Sequence, residues 1–271
     1  VVRIAAADIG TGARTALTQV AAEELRAPVE RVRTLIGDSD FGPAMIAGGS
    51  MGMASWSWAV VKACRELTAR IEQRGGLPAD GLTVRAATGD DIKAQADLAR
   101  HTFGAQFAEV RVDPETGEVR VPRLLGVFAA GRIVNAVTAR SQLIGGMTWG
   151  LSMALFEESL LDPRFGDYVN HDLAGYHVAA CADVRSIEAH WIDERDDQLN
   201  PSGVKGIGEV GLARSPGSPA GATGSARRRS CRPGWSSPTS RCLTTRTGRR
   251  VHTTILRLAA ERHTPGRALT G

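Results

Sequence analysis

Apolar positions along this chain follow two rhythms, one helical and one alternating, separated by short glycine-rich joints. Val1 to Ala7 is an apolar run broken by Arg3 and predicts a buried strand. After the turn Asp8-Ile9-Gly10-Thr11-Gly12, Leu17, Val20, Ala21 and Leu25 share one helical face, with Thr11 as the expected N-cap and Pro28 closing the segment. Val32 to Ile36 reads as a second short strand. The polar loop Gly37 to Pro43 then leads to Ala47-Gly48-Gly49-Ser50-Met51-Gly52. The helix that follows has Val60, Cys64, Leu67 and Ile71 on one face and stops at Gly75-Gly76. Trp56 and Trp58, near its start, read as packing residues.

A polar, less regular connection runs from Leu77 to His101. Ala108, Val110 and Val112 then alternate with Glu109 and Arg111, and Val119 and Val121 with Glu118 and Arg120. Asp113-Pro114-Glu115-Thr116-Gly117 lies between them, so the two runs predict a hairpin with one wet face, part of an antiparallel arrangement. Gly131 to Ala136 links this hairpin to a helix expected to begin at Ser141, which puts Gln142 on its first turn and Leu143, Met147, Leu151 and Ala154 on one face. Glycine inside a helix costs roughly 1 kcal/mol against alanine, so Gly145-Gly146 predicts a close backbone approach. Tyr168 to Val178 is a polar–aromatic loop whose His171 and His177 share no helical face, an unpromising metal pair. From Ala213 the periodicity vanishes, and only Thr254 to Ala260 reads as briefly helical.

Charge divides the chain in the same place. Leu212 to Gly271 holds twelve arginines, no lysine and one acid, Glu261, whereas the first 211 residues hold 21 bases against 28 acids. The sequence pI of about 9.2 therefore describes the tail, and the body is acidic. A basic tail admits binding to nucleic acid or acidic partners, but Trp235 is its one aromatic residue and no recognition motif accompanies the charge. Cys64, Cys181, Cys231 and Cys242 are scattered without a C-x-x-C pair, which implies neither a disulfide framework nor an iron–sulfur or zinc site and makes a reducing, cytoplasmic compartment the default. No run of about 18 apolar residues predicts a membrane span, and there is no secretory leader pattern. The chain opens on Val1 within an apolar run, which reads as a start inside a domain.

Three stretches carry candidate chemistry. Gly48 to Gly52 leaves backbone amides open where a helix begins, a place suited to phosphate or another anionic group or simply to a turn. Strand, Gly10-Thr11-Gly12, helix is similar in logic, but Arg14-Thr15 stand where a dinucleotide fingerprint needs its third glycine. In Asn200-Pro201-Ser202-Gly203-Val204-Lys205-Gly206-Ile207-Gly208-Glu209-Val210-Gly211 a single carboxylate stands in a glycine-rich, largely apolar run. Burial would desolvate it, and desolvation poises a carboxylate as a general base; a surface turn is the plainer alternative.

Taken in order, DIGTG, PVERVRTLIGDSD, AGGSMGMAS, FGAQFAEVRVDPETGEVRVPRLLGVFAAGRIVN, ARSQLIGGMTWG, VNHDLAGYHV and NPSGVKGIGEVG resemble the C-terminal part of the molybdenum-binding subunit of the xanthine dehydrogenase / aldehyde oxidase family. The resemblance implies an α+β molybdenum-cofactor-binding domain over residues 1–212, a mixed sheet with packed helices, followed by an irregular basic tail over 213–271. It implies a molybdenum–molybdopterin cofactor, in some members extended as the cytosine dinucleotide, with no side chain ligating the metal. Gly10, Thr11 and Gly12 would lie against the pterin, Gly48, Gly49, Ser50, Met51 and Gly52 against the pterin or its phosphates, and Gln142 would hydrogen-bond the cofactor. Glu209 matches the catalytic glutamate, implied to take the proton from a molybdenum-bound hydroxyl as that oxygen attacks an aldehyde or N-heterocycle carbon while hydride passes to a sulfido ligand. FAD and 2Fe-2S centres are implied on partner subunits, and an export signal on a partner or on the missing N-terminal part would move the complex to the periplasm. Thr11 departs from the Gly-Gln-Gly of many members, and family members are much longer than this chain.

After GIGEVGL the family continues into an apolar, alanine-rich helix, whereas this chain reads ARSPGSPAGATGSARRRSCRPGW, the kind of text an out-of-frame GC-rich gene encodes. The expectation is a frameshifted, truncated member. Sequencing the source DNA should reveal a shifted frame encoding the alanine-rich helix; an intact frame with no such alternative overturns it.

Overall fold

The computed structural model describes residues 1–212, 240–244 and 250–260, the last two stretches by their backbone. β1 (Val2–Ile4) pairs in parallel with β2 (Thr34–Ile36), and α1 (Ala13–Glu24) crosses between them. Only three residues of the expected Val1–Ala7 strand form a ladder, because β2 offers three partners and no others. α2 (Gly52–Gln73) lies against α1, and Leu17, Val20 and Ala21 pack on Trp56, Val60, Val61 and Cys64 as a first buried core. Trp56 earns its place twice, donating its indole N–H to the Met45 carbonyl at 2.9 Å. Gly76 and Gly75 end α2 by donating to the Ile71 and Glu72 carbonyls, a double closure that their positive φ permits.

The cap of α1 differs from expectation. Its N-cap is Gly12, and Thr11 makes no cap. Asp8 does the work from outside the helix, its carboxylate accepting the N–H groups of Gly10, Gly12 and Arg14 at 3.0, 3.1 and 3.2 Å. Partial burial pushes the Asp8 carboxyl up, but the amides of Arg14, Gly12, Gly10 and Thr11 outweigh it and hold the group below its ordinary 3.8.

The connection after α2 contains one short helix, α3 (Gly89–Ala94). β3 (Phe103–Val112) and β4 (Val119–Ala129) form the expected hairpin, longer than its alternating core, with a bulge between Glu109 and Arg111. The Asp113 carboxylate accepts the amides of Glu115 and Thr116 at 2.9 Å and shapes the turn. α4 spans Ala136–Leu155. It begins before Ser141 because the Asn135 side chain accepts the Thr138 amide at 3.0 Å, so Gln142 sits on the second turn rather than the first. β5 (Leu161–Asp162) and β6 (Asp167–Tyr168) form a small hairpin within the exposed loop.

β7 (Ile187–Trp191), absent from the sequence reading, runs parallel to β4. β8 (Ser240–Thr244) and β9 (Arg250–Ala260) complete a mixed sheet in the order β7-β4-β3-β9-β8. The stretch Thr254–Ala260, read as briefly helical, is therefore strand. β9 pairs antiparallel with the edge of β3 that β4 leaves open, and the β-branched Val251, Thr253, Thr254 and Ile255 favour an extended backbone. The other tail residues expected to be irregular lie outside the described residues. A second core joins sheet to helix: Ala108, Leu124, Phe128 and Ala189 meet Leu143 and Met147 of α4, with Val210 closing one end.

The Gly145-Gly146 pair separates into two roles. A Cβ on Gly146 would stand 2.9 Å from the Leu212 amide nitrogen and 3.0 Å from the Gly211 carbonyl carbon, whereas one on Gly145 would meet nothing within 4 Å. Gly211 faces the same contact from the other side, where an added Cβ would stand 2.6 Å from the Leu143 carbonyl oxygen. Gly145→Ala is therefore expected to stabilise the chain by up to about 1 kcal/mol through helix propensity. Gly146→Ala should destabilise it by about 1–3 kcal/mol through overpacking, both read from urea midpoints. Asp8→Ala should cost about 1 kcal/mol at neutral pH. Because the folded carboxyl lies below its ordinary 3.8, the wild-type advantage is complete above that pH. It disappears as pH falls through the folded value, where the two denaturation curves should converge.

Candidate functional site

Residues 200–211 run between the two cores with almost no ladder of their own; one isolated bridge joins Val204 to Gly131. Side chains of other segments satisfy this stretch instead. Thr102 Oγ1 donates to the Gly206 carbonyl at 2.6 Å, Gln142 Nε2 to Gly208 at 3.0 Å and Gln106 Nε2 to Gly211 at 2.9 Å. Asn200 Nδ2 donates to the Val204 carbonyl at 2.8 Å, while the Ser202 hydroxyl bonds Asn200 Oδ1 at 2.6 Å and the Ser57 hydroxyl of α2 at 2.5 Å. Thr102, Gln106, Ser57, Ser202 and Asn200 are all buried, so each bond replaces water that is not there.

Where this stretch passes the start of α2 it touches Ser50. The Ser50 hydroxyl donates to Glu209 Oε2 at 2.9 Å, and the Glu209 amide donates to Ser50 Oγ at 3.0 Å. A cleft of about 270 Å³ opens beside them, between the first core and α4. Thr11, Gly48, Gly49, Ser50, Gly52, Gln142 and Glu209 line it, so the structure brings most of the sequence-predicted site residues together. Gly10, Gly12 and Met51 are not among its lining residues. The amides of Gly10 and Gly12 are occupied by Asp8, Gly12 packs on Thr138, and Met51 is the N-cap of α2. Gln142 gives one of its two N–H groups to the Gly208 carbonyl, which leaves the other N–H and the amide oxygen for a ligand.

Of the two environments the sequence left open for Glu209, the structure shows the exposed one, at the edge of the cleft. Two cations in the wall escaped the sequence reading. Lys205 is mostly buried, with Nζ 3.0 Å from Glu194 Oε1 and 3.5 Å from Asp196 Oδ2. Arg132 is paired with Glu23. Burial pushes the Glu194 carboxyl up, but the Gly131 amide and the Lys205 ammonium prevail and hold it below its usual range. Their sequence signal was position alone: Arg132 and Lys205 sit on neighbouring segments joined by the Gly131–Val204 bridge.

α2 begins with no side-chain cap, and Gly52 and Met53 of its first turn line the cleft. Among the described residues no group of three His, Cys, Asp or Glu side chains is placed to hold a metal ion, and no helix is long and apolar enough to cross a membrane. Cys64 is a packing residue; burial, reinforced by Glu24, pushes its thiol up to about 11.

The sequence profile of the molybdopterin cofactor-binding domain family matches residues 1–100 and 83–185. The chain is 41% identical over 229 residues to PaoC, the molybdenum-binding subunit of the aldehyde oxidoreductase of Escherichia coli K12, covering 76% of this chain and 31% of that protein. It is 25% identical over 251 residues to subunit gamma of the 6-hydroxypseudooxynicotine dehydrogenase complex of Paenarthrobacter nicotinovorans, covering 78% and 31%. In three dimensions it resembles quinoline 2-oxidoreductase of Pseudomonas putida 86, with a TM-score of 0.66 at 22% identity over 80% of this chain and 32% of that one, a likeness of fold. The chain thus spans about a third of the length of the curated relatives it matches. On a profile match across both cores and 41% identity over most of its length, the chain belongs to the molybdopterin cofactor-binding domain family, within the xanthine dehydrogenase / aldehyde oxidoreductase group.

Proposed function

We propose that this chain is the cofactor-holding part of the catalytic subunit of a molybdenum hydroxylase that oxidatively hydroxylates an aldehyde or an N-heterocycle. The observation that carries the reading is the meeting of Glu209, tethered through Ser50, with the uncapped start of α2 at one cleft. The lining fits an anionic organic group that brings its own metal ligands. It offers backbone amides, the two amide side chains of Asn135 and Gln142, two cations and a single carboxylate, and no cluster of metal-binding side chains among the described residues. The group expected there is molybdenum–molybdopterin, plain or as the cytosine dinucleotide.

When bound, that group supplies the two-electron acceptor and the oxygen that enters the product. The amides at the start of α2 would hold its anionic portion, with Arg132 and Lys205 also in the lining. Gln142, fixed through Gly208, presents its amide oxygen as an acceptor. Glu209 has one carboxylate oxygen on Ser50, so Oε1 is the atom that takes the proton. Filling and covering the cleft is what excludes water from Glu209, since nothing among the described residues does. FAD-binding and iron–sulfur subunits complete the proposed complex, carrying the electrons away.

In the assembled holoenzyme, Glu209→Gln should retain molybdenum and pterin and lower turnover by about 10²–10⁴-fold, the usual weight of a general base. Near-normal turnover in that variant overturns the assignment.

A further inference from the structure

The sequence reading places Ser50 against the cofactor, but its hydroxyl is already committed. We propose that Ser50 is a positioning residue, whose hydroxyl holds the Glu209 carboxylate and backbone together and decides which carboxylate oxygen is free to receive a proton. The proposal rests on the reading of Glu209 as proton acceptor.

Three observations support it. A hydroxyl has one hydrogen to give; that of Ser50 goes to Glu209 Oε2 at 2.9 Å, while Oγ accepts the Glu209 amide at 3.0 Å. Glu209 is therefore held at two points by one atom. The backbone is also strained at this residue. Ser50 has φ +56, in the left-handed region that is unfavourable for a non-glycine residue, and its neighbour Gly49 has φ +59. The chain uses glycine at 48, 49 and 52, yet keeps a side chain at the second left-handed position. Finally, the approaching loop is cut to fit that side chain. A Cβ on Gly206 would lie 2.6 Å from the Ser50 carbonyl oxygen and 2.7 Å from its Cβ, and one on Gly208 would lie 2.9 Å from Oγ. Two glycines just ahead of Glu209 thus admit Ser50 closely enough for both bonds to form.

An exposed glutamate has three side-chain torsions to fix, and a misplacement of about 1 Å in a reacting group can cost on the order of 10²-fold in rate. The tether removes that freedom before substrate arrives. A glycine at position 50 would relieve the left-handed strain and delete the hydroxyl, separating the tether from the stability of the fold.

The test uses Ser50→Gly and, to keep the backbone restriction, Ser50→Ala. In the isolated chain, Ser50→Gly should melt no lower than wild type. By amide hydrogen exchange followed with ¹H–¹⁵N NMR, the Glu209 amide should exchange faster in both variants. In the holoenzyme both should keep molybdenum and pterin content and KM and lose kcat by about 10–100-fold. Adding Ser50→Gly to Glu209→Gln should cost nothing further, because the hydroxyl acts only through that carboxylate. Loss of pterin with unchanged Glu209 exchange would make Ser50 a cofactor contact and overturn the inference. Full kcat in Ser50→Gly beside an inactive Glu209→Gln would overturn it alone, whereas an active Glu209→Gln would bring down the proposed base as well and leave the exchange data as evidence of a purely structural tether.

Discussion

The site depends on solving one problem: a stretch of backbone with a single isolated bridge must cross a dry interior. Residues 200–211 pass between two cores, and a buried carbonyl without a partner costs about 1–3 kcal/mol. Strand pairing would satisfy them but would also impose a regular pleat. The chain satisfies them singly, with Thr102 from the approach to β3, Gln106 within it, Gln142 on α4, and the Asn200–Ser202–Ser57 network reaching α2. Each donor comes from a different place, so the loop's path records the relative position of all of them. Glu209 is carried on that path, and its location is a property of the whole assembly rather than of its own neighbours in sequence.

Glycine supplies the other half of that solution. Gly146 and Gly211 let two backbones touch where α4 meets the loop's end, and Gly206 and Gly208 do the same against Ser50. Hydrogen bonds set direction while the missing Cβ atoms set distance. The two devices are interlocked: the Gln142 bond to Gly208 forms one turn before the Gly146 contact on the same helix. A change at either would be felt at the other, as expected for residues sharing one contact network.

What the sequence showed follows from how local each determinant is. The α1 and α2 faces and the β3–β4 hairpin were legible because their signals lie within a few residues: Leu17, Val20 and Ala21 on one period, Val110 and Val112 against Glu109 and Arg111 on another. β7 was missed because a five-residue strand lying beside β4 draws its identity from that partner. Thr11 looked like a cap because it precedes the helix, yet Asp8 reaches further and satisfies three amides instead of one. The start of α4 was misplaced because Asn135 was read as part of a turn-rich link rather than as a cap. The glycine stretches were visible as a pattern, but which glycine faces a neighbour and which faces open space is a fact about the partner surface. Gly145 and Gly146 are indistinguishable in the sequence and opposite in the fold.

Electrostatics at the cleft run against a simple charge-attraction picture. Arg132 is matched by Glu23, and Lys205 by both Glu194 and Asp196, so with Glu209 this neighbourhood holds four carboxylates against two cations. The body of the chain is acidic as well. Beside the cleft itself an anionic ligand therefore meets more carboxylates than cations. What the cleft offers is short-range: amides at an uncapped helix start, and cations whose directions their acidic partners have already fixed. Donors of that kind act over a hydrogen-bond length and reward shape before charge. Among the described residues Glu209 has no ammonium or guanidinium partner, and Ser50 holds one of its oxygens.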